Sequence, residues 1–89
     1  MRFAREIINE GVLQGINPEV AKKLVLGTML GTAKMAIESD SSLDELIKAV
    51  ASPGGTTEAG LKTMDKLDFD KSVSSTISAA VERSKELSK

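Results

Sequence analysis

The spacing of apolar residues is the feature that most constrains how this chain can fold. Apolar side chains recur every three or four positions in five successive segments, the pattern of amphipathic helices. No segment alternates apolar and polar residues as a half-buried strand does. Five such segments within 89 residues, joined by short connections, predict one all-α domain covering residues 1–89.

The first two helices are delimited by residues that start or stop a helix. The first helix is predicted over residues 2–14, with Gly15 as its left-handed terminator. Asn17 can cap the second helix, and Pro18 at its first position loses no hydrogen bond. This second helix is predicted to run to about Glu38.

Two glycines lie inside the second helix. Gly27 and Gly31 are four residues apart, and each costs about 1 kcal/mol relative to alanine in a helix interior. A close helix crossing is the compensation we expect. Similar spacing occurs in membrane dimers, but Lys22, Lys23 and Lys34 favour packing against protein instead. Since this helix is apolar around much of its circumference, we expect it to be the central and most buried helix.

The remaining three helices have clear starting points. Ser42 and Glu45 form the pattern of a capping box at the start of the third helix. The fourth helix is predicted to start at Thr56 or Thr57, with a threonine as its cap and with Glu58 and Lys62 as an outward-facing pair. Helix five carries a regular apolar stripe that begins at Phe69.

The composition restricts both the core and the partners. Only two aromatic residues, Phe3 and Phe69, are present, so aliphatic side chains must form a small core. Such a core often gains burial by pairing with a second copy, and we expect a homodimer or a higher oligomer. The 12 basic and 13 acidic residues are interspersed, so no basic surface for nucleic acid is expected.

Several classes of chemistry are excluded by the residues that are missing. With no cysteine there is no thiol nucleophile or disulfide, and with no histidine the commonest metal ligand and general base is lost. No metal site is predicted. The chain has no apolar run near the ~20 residues that a membrane span needs and no signal-peptide pattern at its start. We therefore expect a cytoplasmic protein without a membrane contact.

The candidate functional residues lie in the loop Ser52–Thr57, which has the sequence SPGGTT. Its two glycines allow a ligand to approach the main chain, and the helix that follows offers unpaired N–H groups. A helix start of this kind suits a carboxylate or a phosphate. Taken alone, however, a proline-glycine turn before a threonine cap is more typical of a purely structural helix start.

Known phosphate-binding motifs do not fit this loop. A P-loop requires a lysine at a fixed spacing after its glycines and a preceding strand, and neither is present. A dinucleotide fingerprint requires the spacing G-x-G-x-x-G after a strand and an acidic residue about 20 positions later. We therefore expect no cofactor to be bound by this chain alone.

A wider stretch of sequence resembles a known family. The run ASPGGTTEAGL over Ala51–Leu61 is preceded by LGTMLGTAK over Leu26–Lys34 and followed by ERSKEL over Glu82–Leu87. These three runs, in this order, closely resemble the C-terminal domain of pyrroline-5-carboxylate reductases. The resemblance implies a helical dimerisation domain whose two copies intertwine. It also implies that NAD(P)H is supplied by a separate Rossmann domain, which we expect to be absent from this chain.

The resemblance also assigns roles within the loop. It implies that a cyclic imine, 1-pyrroline-5-carboxylate, is reduced to L-proline near this loop. The imine carboxylate would be bound by residues of the loop, namely Ser52, Gly54, Gly55, Thr56 and Thr57. The hydroxyl of Thr57 would lie near the imine nitrogen, which makes Thr57 the expected catalytic residue.

Two hypotheses follow. In the first, the chain is the dimerisation and substrate-binding portion of an NAD(P)H-dependent pyrroline-5-carboxylate reductase. In the second, it is a stand-alone helical interaction module without catalysis. Since nothing in the sequence fits a dinucleotide, the chain alone is expected to be inactive in either case.

Overall fold

The computed structural model describes residues 1–88, and within them it contains five α-helices and no strand. The predicted all-α fold is therefore confirmed. The helices, in chain order, are α1 (Arg2–Leu13), α2 (Pro18–Glu38), α3 (Leu43–Val50), α4 (Thr56–Lys66) and α5 (Phe69–Leu87). They belong to two units, residues 1–46 with α1 and α2 and residues from 47 onward with α4 and α5.

The connection between α1 and α2 is set by local chemistry. Gly15 has a φ of 102°, a left-handed conformation that favours glycine and ends α1 as predicted. Asn17 then caps α2, since its Oδ1 accepts the N–H groups of Glu19 at 3.0 Å and Val20 at 3.3 Å. Both helix ends thus satisfy orphan backbone groups with residues that the sequence identified.

Helices α1 and α2 meet through small side chains. The buried apolar residues among those described are two alanines, Ala4 in α1 and Ala21 in α2. A Cβ added to Gly11 would lie 3.7 Å from the Cβ of Ala21 and 3.7 Å from Cδ1 of Ile16, which is ordinary van der Waals contact. The first unit is therefore held by a narrow contact rather than by large side chains.

Helix α3 begins with the predicted capping box. The Glu45 N–H donates to the Ser42 hydroxyl at 3.1 Å, and the Ser42 N–H donates to the Glu45 carboxylate at 3.0 Å. The Ser42 N–H lowers the pKa of the Glu45 carboxyl most, and the Ser42 side chain lowers it further, because both favour the charged carboxylate.

In the second unit, α4 and α5 are separated by the two residues Leu67 and Asp68. Asp68 precedes α5 with φ 55° and ψ 44°, which is the left-handed region. Aspartate enters this region more readily than most residues because its short polar side chain can bond locally. The reversal therefore needs no glycine.

The expected burial of α2 is wrong within a single chain. Only Ala21 is buried in this helix, while Leu24, Leu30 and Met35 expose 56%, 74% and 51% of their surface. The predicted close crossing at the two helix glycines is also absent within the chain, since a Cβ built at either one meets no described atom within 4 Å. Helix α2 packs on α1 through Ala21, but much of its apolar surface stays exposed in one copy.

Among the described residues, no helix combines the length and the apolarity that crossing a bilayer requires.

The capping box predicts how Glu45 titrates. We expect a midpoint below the ordinary glutamate value, and Ser42→Ala should return it towards that value. A lowered folded pKa gives a stabilisation that is complete above the pKa of the unfolded chain and is lost as pH falls through the folded pKa. NMR titration of the Glu45 carboxyl carbon measures the midpoint. Because alanine keeps the backbone N–H, an unchanged midpoint in Ser42→Ala would show that the Ser42 hydroxyl does not contribute to the lowered pKa.

Candidate functional site

The loop between α3 and α4 is a tight turn. The Gly55 N–H donates to the backbone oxygen of Ser52 at 2.9 Å, closing a four-residue turn. Pro53 occupies its second position, and Gly54 occupies its third with a φ of +73°. A proline at the second position and a positive φ at the third are the features of a type II turn. The sequence S-P-G-G therefore specifies this backbone.

Gly55 is required for a different reason from Gly54. Its backbone is extended, with φ −86° and ψ 177°, which any residue can adopt. A Cβ at this position would lie only 3.1 Å from the Ser52 backbone oxygen, so the turn would have to shift by a few tenths of an ångström. Gly54 is thus needed for its conformation, whereas Gly55 is needed for space.

The predicted threonine cap of α4 is wrong. The N-cap residue is Gly55, which has no side chain that could cap the helix. Thr56 and Thr57 are the first two residues of the helix itself. Because the type II turn already orients the chain into α4, the helix starts one residue earlier than a threonine cap requires. The two threonine hydroxyls are therefore not used for capping.

A glutamate, rather than a threonine, makes a side-chain hydrogen bond to the backbone at the start of α4. Glu58, at the third helical position, accepts the Gly54 N–H on Oε1 at 3.2 Å. The same oxygen lies 3.3 Å from the ammonium nitrogen of Lys62, which confirms the predicted pair between these residues. Sequence reasoning identified this pair but missed the bond to the loop. The signal was the acid at the third helical position, as in a capping box.

The unpaired N–H groups belong to the first residues of α4 rather than to the two glycines of the loop. The N–H groups of Gly54 and Gly55 are engaged within the turn. In the part of the chain that the structure describes, the N–H groups of Thr56, Thr57 and Glu58 make no hydrogen bond. Three unpaired donors at the positive end of a helix dipole are suited to binding an anionic group.

The side chains expected to bind a ligand are accessible. Ser52, Thr56 and Thr57 are all exposed, and their hydroxyls make no hydrogen bond within residues 1–88. The structure thus brings three hydroxyls and three N–H groups together around one turn of backbone. No cluster of three or more metal-ligating side chains occurs among the described residues.

The family profile for pyrroline-5-carboxylate reductase dimerisation matches residues 1–87. The chain belongs to this family. The loop and its helix start are therefore part of a pyrroline-5-carboxylate reductase dimerisation domain, which confirms the resemblance carried by the three sequence runs.

Individual members of the family agree. The chain is 40% identical over 79 residues to the pyrroline-5-carboxylate reductase of Synechocystis sp., covering 89% of this chain and 30% of that protein. It is 42% identical over 73 residues to that of Pseudomonas aeruginosa, covering 82% of this chain and 27% of that protein. The dimerisation domain thus spans about three-tenths of the length of these relatives.

A solved structure has the same fold. The crystal structure of Plasmodium falciparum pyrroline carboxylate reductase with NADP bound matches with a TM-score of 0.94 and 36% identity. The match covers 98% of this chain and 33% of the Plasmodium chain.

The geometry of the loop predicts opposite effects for two glycine substitutions. Gly54→Ala places an alanine at φ +73° and should lower the free energy of unfolding by about 1–2 kcal/mol. Gly60→Ala is the matched control, because Gly60 lies inside α4 with open space at its Cβ and should gain up to about 1 kcal/mol. Urea unfolding of both variants measures the difference. Equal stability of the two would mean that the left-handed conformation of Gly54 is not maintained.

Proposed function

We propose that this chain is the dimerisation and substrate-binding part of an enzyme that reduces 1-pyrroline-5-carboxylate to L-proline with NAD(P)H. The observation that carries the proposal is the start of α4, where a glycine turn leaves three N–H groups unpaired beside three free hydroxyls. Family membership supports the choice of this substrate among the carboxylates that such a site could take.

The substrate carboxylate binds at the start of α4. Charge-assisted hydrogen bonds from the N–H groups of Thr56 and Thr57 hold it, and the helix dipole adds to the attraction. The hydroxyls of Ser52 and Thr56, which lie on either side of the two glycines, contribute further donors. Gly54 and Gly55 have no Cβ atoms, so the ligand can approach the main chain. In this proposal the two glycines leave room for the ligand, and the hydrogen-bond donors come from Ser52, Thr56 and Thr57.

In this proposal the hydroxyl of Thr57 lies near the imine nitrogen of the bound substrate. Thr57 lies one residue further into α4 than Thr56, and its hydroxyl is not used for capping. A carboxylate bound at the helix start positions the neighbouring ring nitrogen of the same small molecule within reach of this hydroxyl. As the C=N bond is reduced, the nitrogen acquires a proton, and a hydrogen bond from Thr57 stabilises the developing charge.

The residues of this chain do not fit a dinucleotide. The sequence holds no G-x-G-x-x-G spacing, and the described residues contain no strand to precede one. NAD(P)H supplies a hydride when bound, and in this proposal it is bound by a separate Rossmann domain. The term assembled enzyme below means this chain together with such a domain.

The exposed surface of the chain supports pairing with a second copy. Among the described residues the buried apolar side chains are two alanines, whereas Leu30 and Ile37 of α2 are 74% and 83% exposed. Exposed aliphatic side chains of this kind favour association with another surface. A homodimer, the state that the family description implies, provides the missing burial.

The apolar faces of the first unit show where a second copy can pack. A groove of about 240 Å³ between α1 and α2 is lined almost entirely by apolar atoms, from Ile7, Leu24, Val25, Thr28 and Met29. Gly27 lies among these α2 residues and Gly31 lies one turn beyond, and a Cβ at either position meets no described atom within 4 Å. In this proposal the close helix crossing predicted from the sequence is formed between two copies.

Gly27→Leu tests this dimer. A Cβ at this position meets no described atom within 4 Å in one copy, but in a close crossing the leucine should weaken association by about 1–3 kcal/mol through overpacking. Sedimentation equilibrium measures the dissociation constant of the variant and of the parent chain. The variant diluted to monomer is its own control and should be at least as helical as the parent. An unchanged dissociation constant would exclude Gly27 from the interface.

Thr57 tests the catalytic role in the assembled enzyme. Because its hydroxyl caps nothing, Thr57→Ala should change the free energy of unfolding by no more than about 0.5 kcal/mol. Loss of a hydrogen bond that strengthens in the transition state should lower both kcat and kcat/KM, by roughly tenfold to a thousandfold. Thr57→Ser, which keeps the hydroxyl, should retain most activity. If Thr57→Ala turns over the cyclic imine at the parent kcat, the catalytic assignment is wrong.

A further inference from the structure

Glu58 differs from the other paired acids of the chain. Its Oε1 receives both the Gly54 N–H at 3.2 Å and the Lys62 ammonium at 3.3 Å. Only 33% of its side chain is exposed, whereas the acids in the other three ion pairs of the described residues are 60–71% exposed. Those three pairs lie on open helix surfaces and contact no loop. Glu58 alone among these paired acids connects a helix to the candidate site.

The bond from Gly54 to Glu58 helps to determine which donors a ligand meets. Gly54 holds a left-handed conformation, and glycine is the residue that most easily leaves any one conformation. One hydrogen bond, from Gly55 to Ser52, closes the turn internally. The bond to Glu58 ties the turn to the first turn of α4 as well. Because both glycine N–H groups are then engaged, the N–H groups of Thr56, Thr57 and Glu58 are the ones left for a carboxylate.

Lys62 offsets the negative charge that Glu58 brings to the candidate site. A carboxylate beside an anion-binding helix start repels a second carboxylate, since like charges a few ångströms apart are unfavourable. The Lys62 ammonium lies on the same Glu58 oxygen that holds the loop and offsets this charge. The pair therefore keeps the bond to the loop while reducing the repulsion of an incoming anion.

We infer that Glu58 is a positioning residue of the carboxylate site, holding the Gly54 turn in its binding conformation, and that Lys62 screens its charge. This inference rests on the proposed function, because it assigns these residues to binding of the cyclic imine. Glu58 does not touch the substrate. It acts through the loop, and its loss should weaken substrate binding more than it slows the chemical step.

Substitutions at Glu58 in the assembled enzyme separate positioning from catalysis. Glu58→Ala should raise KM for the cyclic imine about tenfold while kcat stays within about threefold, the pattern of lost binding rather than lost transition-state stabilisation. Glu58→Gln should keep KM within about threefold of the parent value, because its amide oxygen can still accept the Gly54 N–H. Glu82→Ala, which removes another glutamate–lysine pair far along the sequence on α5, should leave both constants unchanged.

The screening role of Lys62 has its own test. Lys62→Ala should raise KM by about twofold to fivefold, since the Glu58 charge then acts unscreened on the substrate carboxylate. In the Glu58→Gln background the same substitution should have no effect on KM, because no charge remains to be screened. Equal effects in the two backgrounds would overturn the screening role.

Hydrogen exchange at the Gly54 amide reports on the loop without any turnover. In the 89-residue chain, Glu58→Ala should accelerate this exchange about tenfold, and Glu58→Gln should leave it near the parent rate. Unchanged exchange in Glu58→Ala would overturn the inference, as would faster exchange with an unchanged KM. If Glu58→Ala leaves KM unchanged while Thr57→Ala still lowers kcat, the positioning role fails and the proposed function stands. If the assembled parent enzyme reduces no cyclic imine, both fail together.

Discussion

The structure depends on a burial requirement that one copy of the chain does not meet. Five amphipathic helices present apolar faces, yet the buried apolar residues among those described are two alanines. Hydrophobic burial is the main favourable term in folding, and each exposed leucine or valine forgoes about 1.5–3 kcal/mol of it. Membership in a dimerisation family is consistent with this surface, since a second copy is the simplest source of the missing contacts.

The candidate site depends on very little besides backbone geometry. A proline, a left-handed glycine and a glycine with no room for a Cβ turn the chain into α4 and leave the first helical N–H groups unpaired. No unusual side-chain chemistry is needed for such a site to attract a carboxylate. Titratable side chains enter only around its edge, through Glu58 and Lys62.

Much of the fold could be predicted from the sequence because neighbouring residues in the chain determine where several helices begin and end. Asn17 and Ser42 make the predicted capping bonds, and Gly15 adopts the predicted left-handed conformation. The predictions that failed concerned contacts at a distance. The burial of α2 could not be predicted, because periodicity shows that a helix is apolar but not which surface covers it. The cap of α4 was misplaced because the preceding turn, rather than a threonine, directs the chain into the helix.

The left-handed Asp68 between α4 and α5 bears on which sequences this fold can tolerate. Glycine and asparagine adopt that conformation easily, whereas the second Cβ substituent of valine, isoleucine or threonine clashes with the backbone there. This corner therefore favours glycine, asparagine and aspartate, which have no side chain or a short polar one, whatever their charge. The α4–α5 corner should stand out in a mutational scan as a position with a short list of permitted residues, even though its side chain is exposed to water.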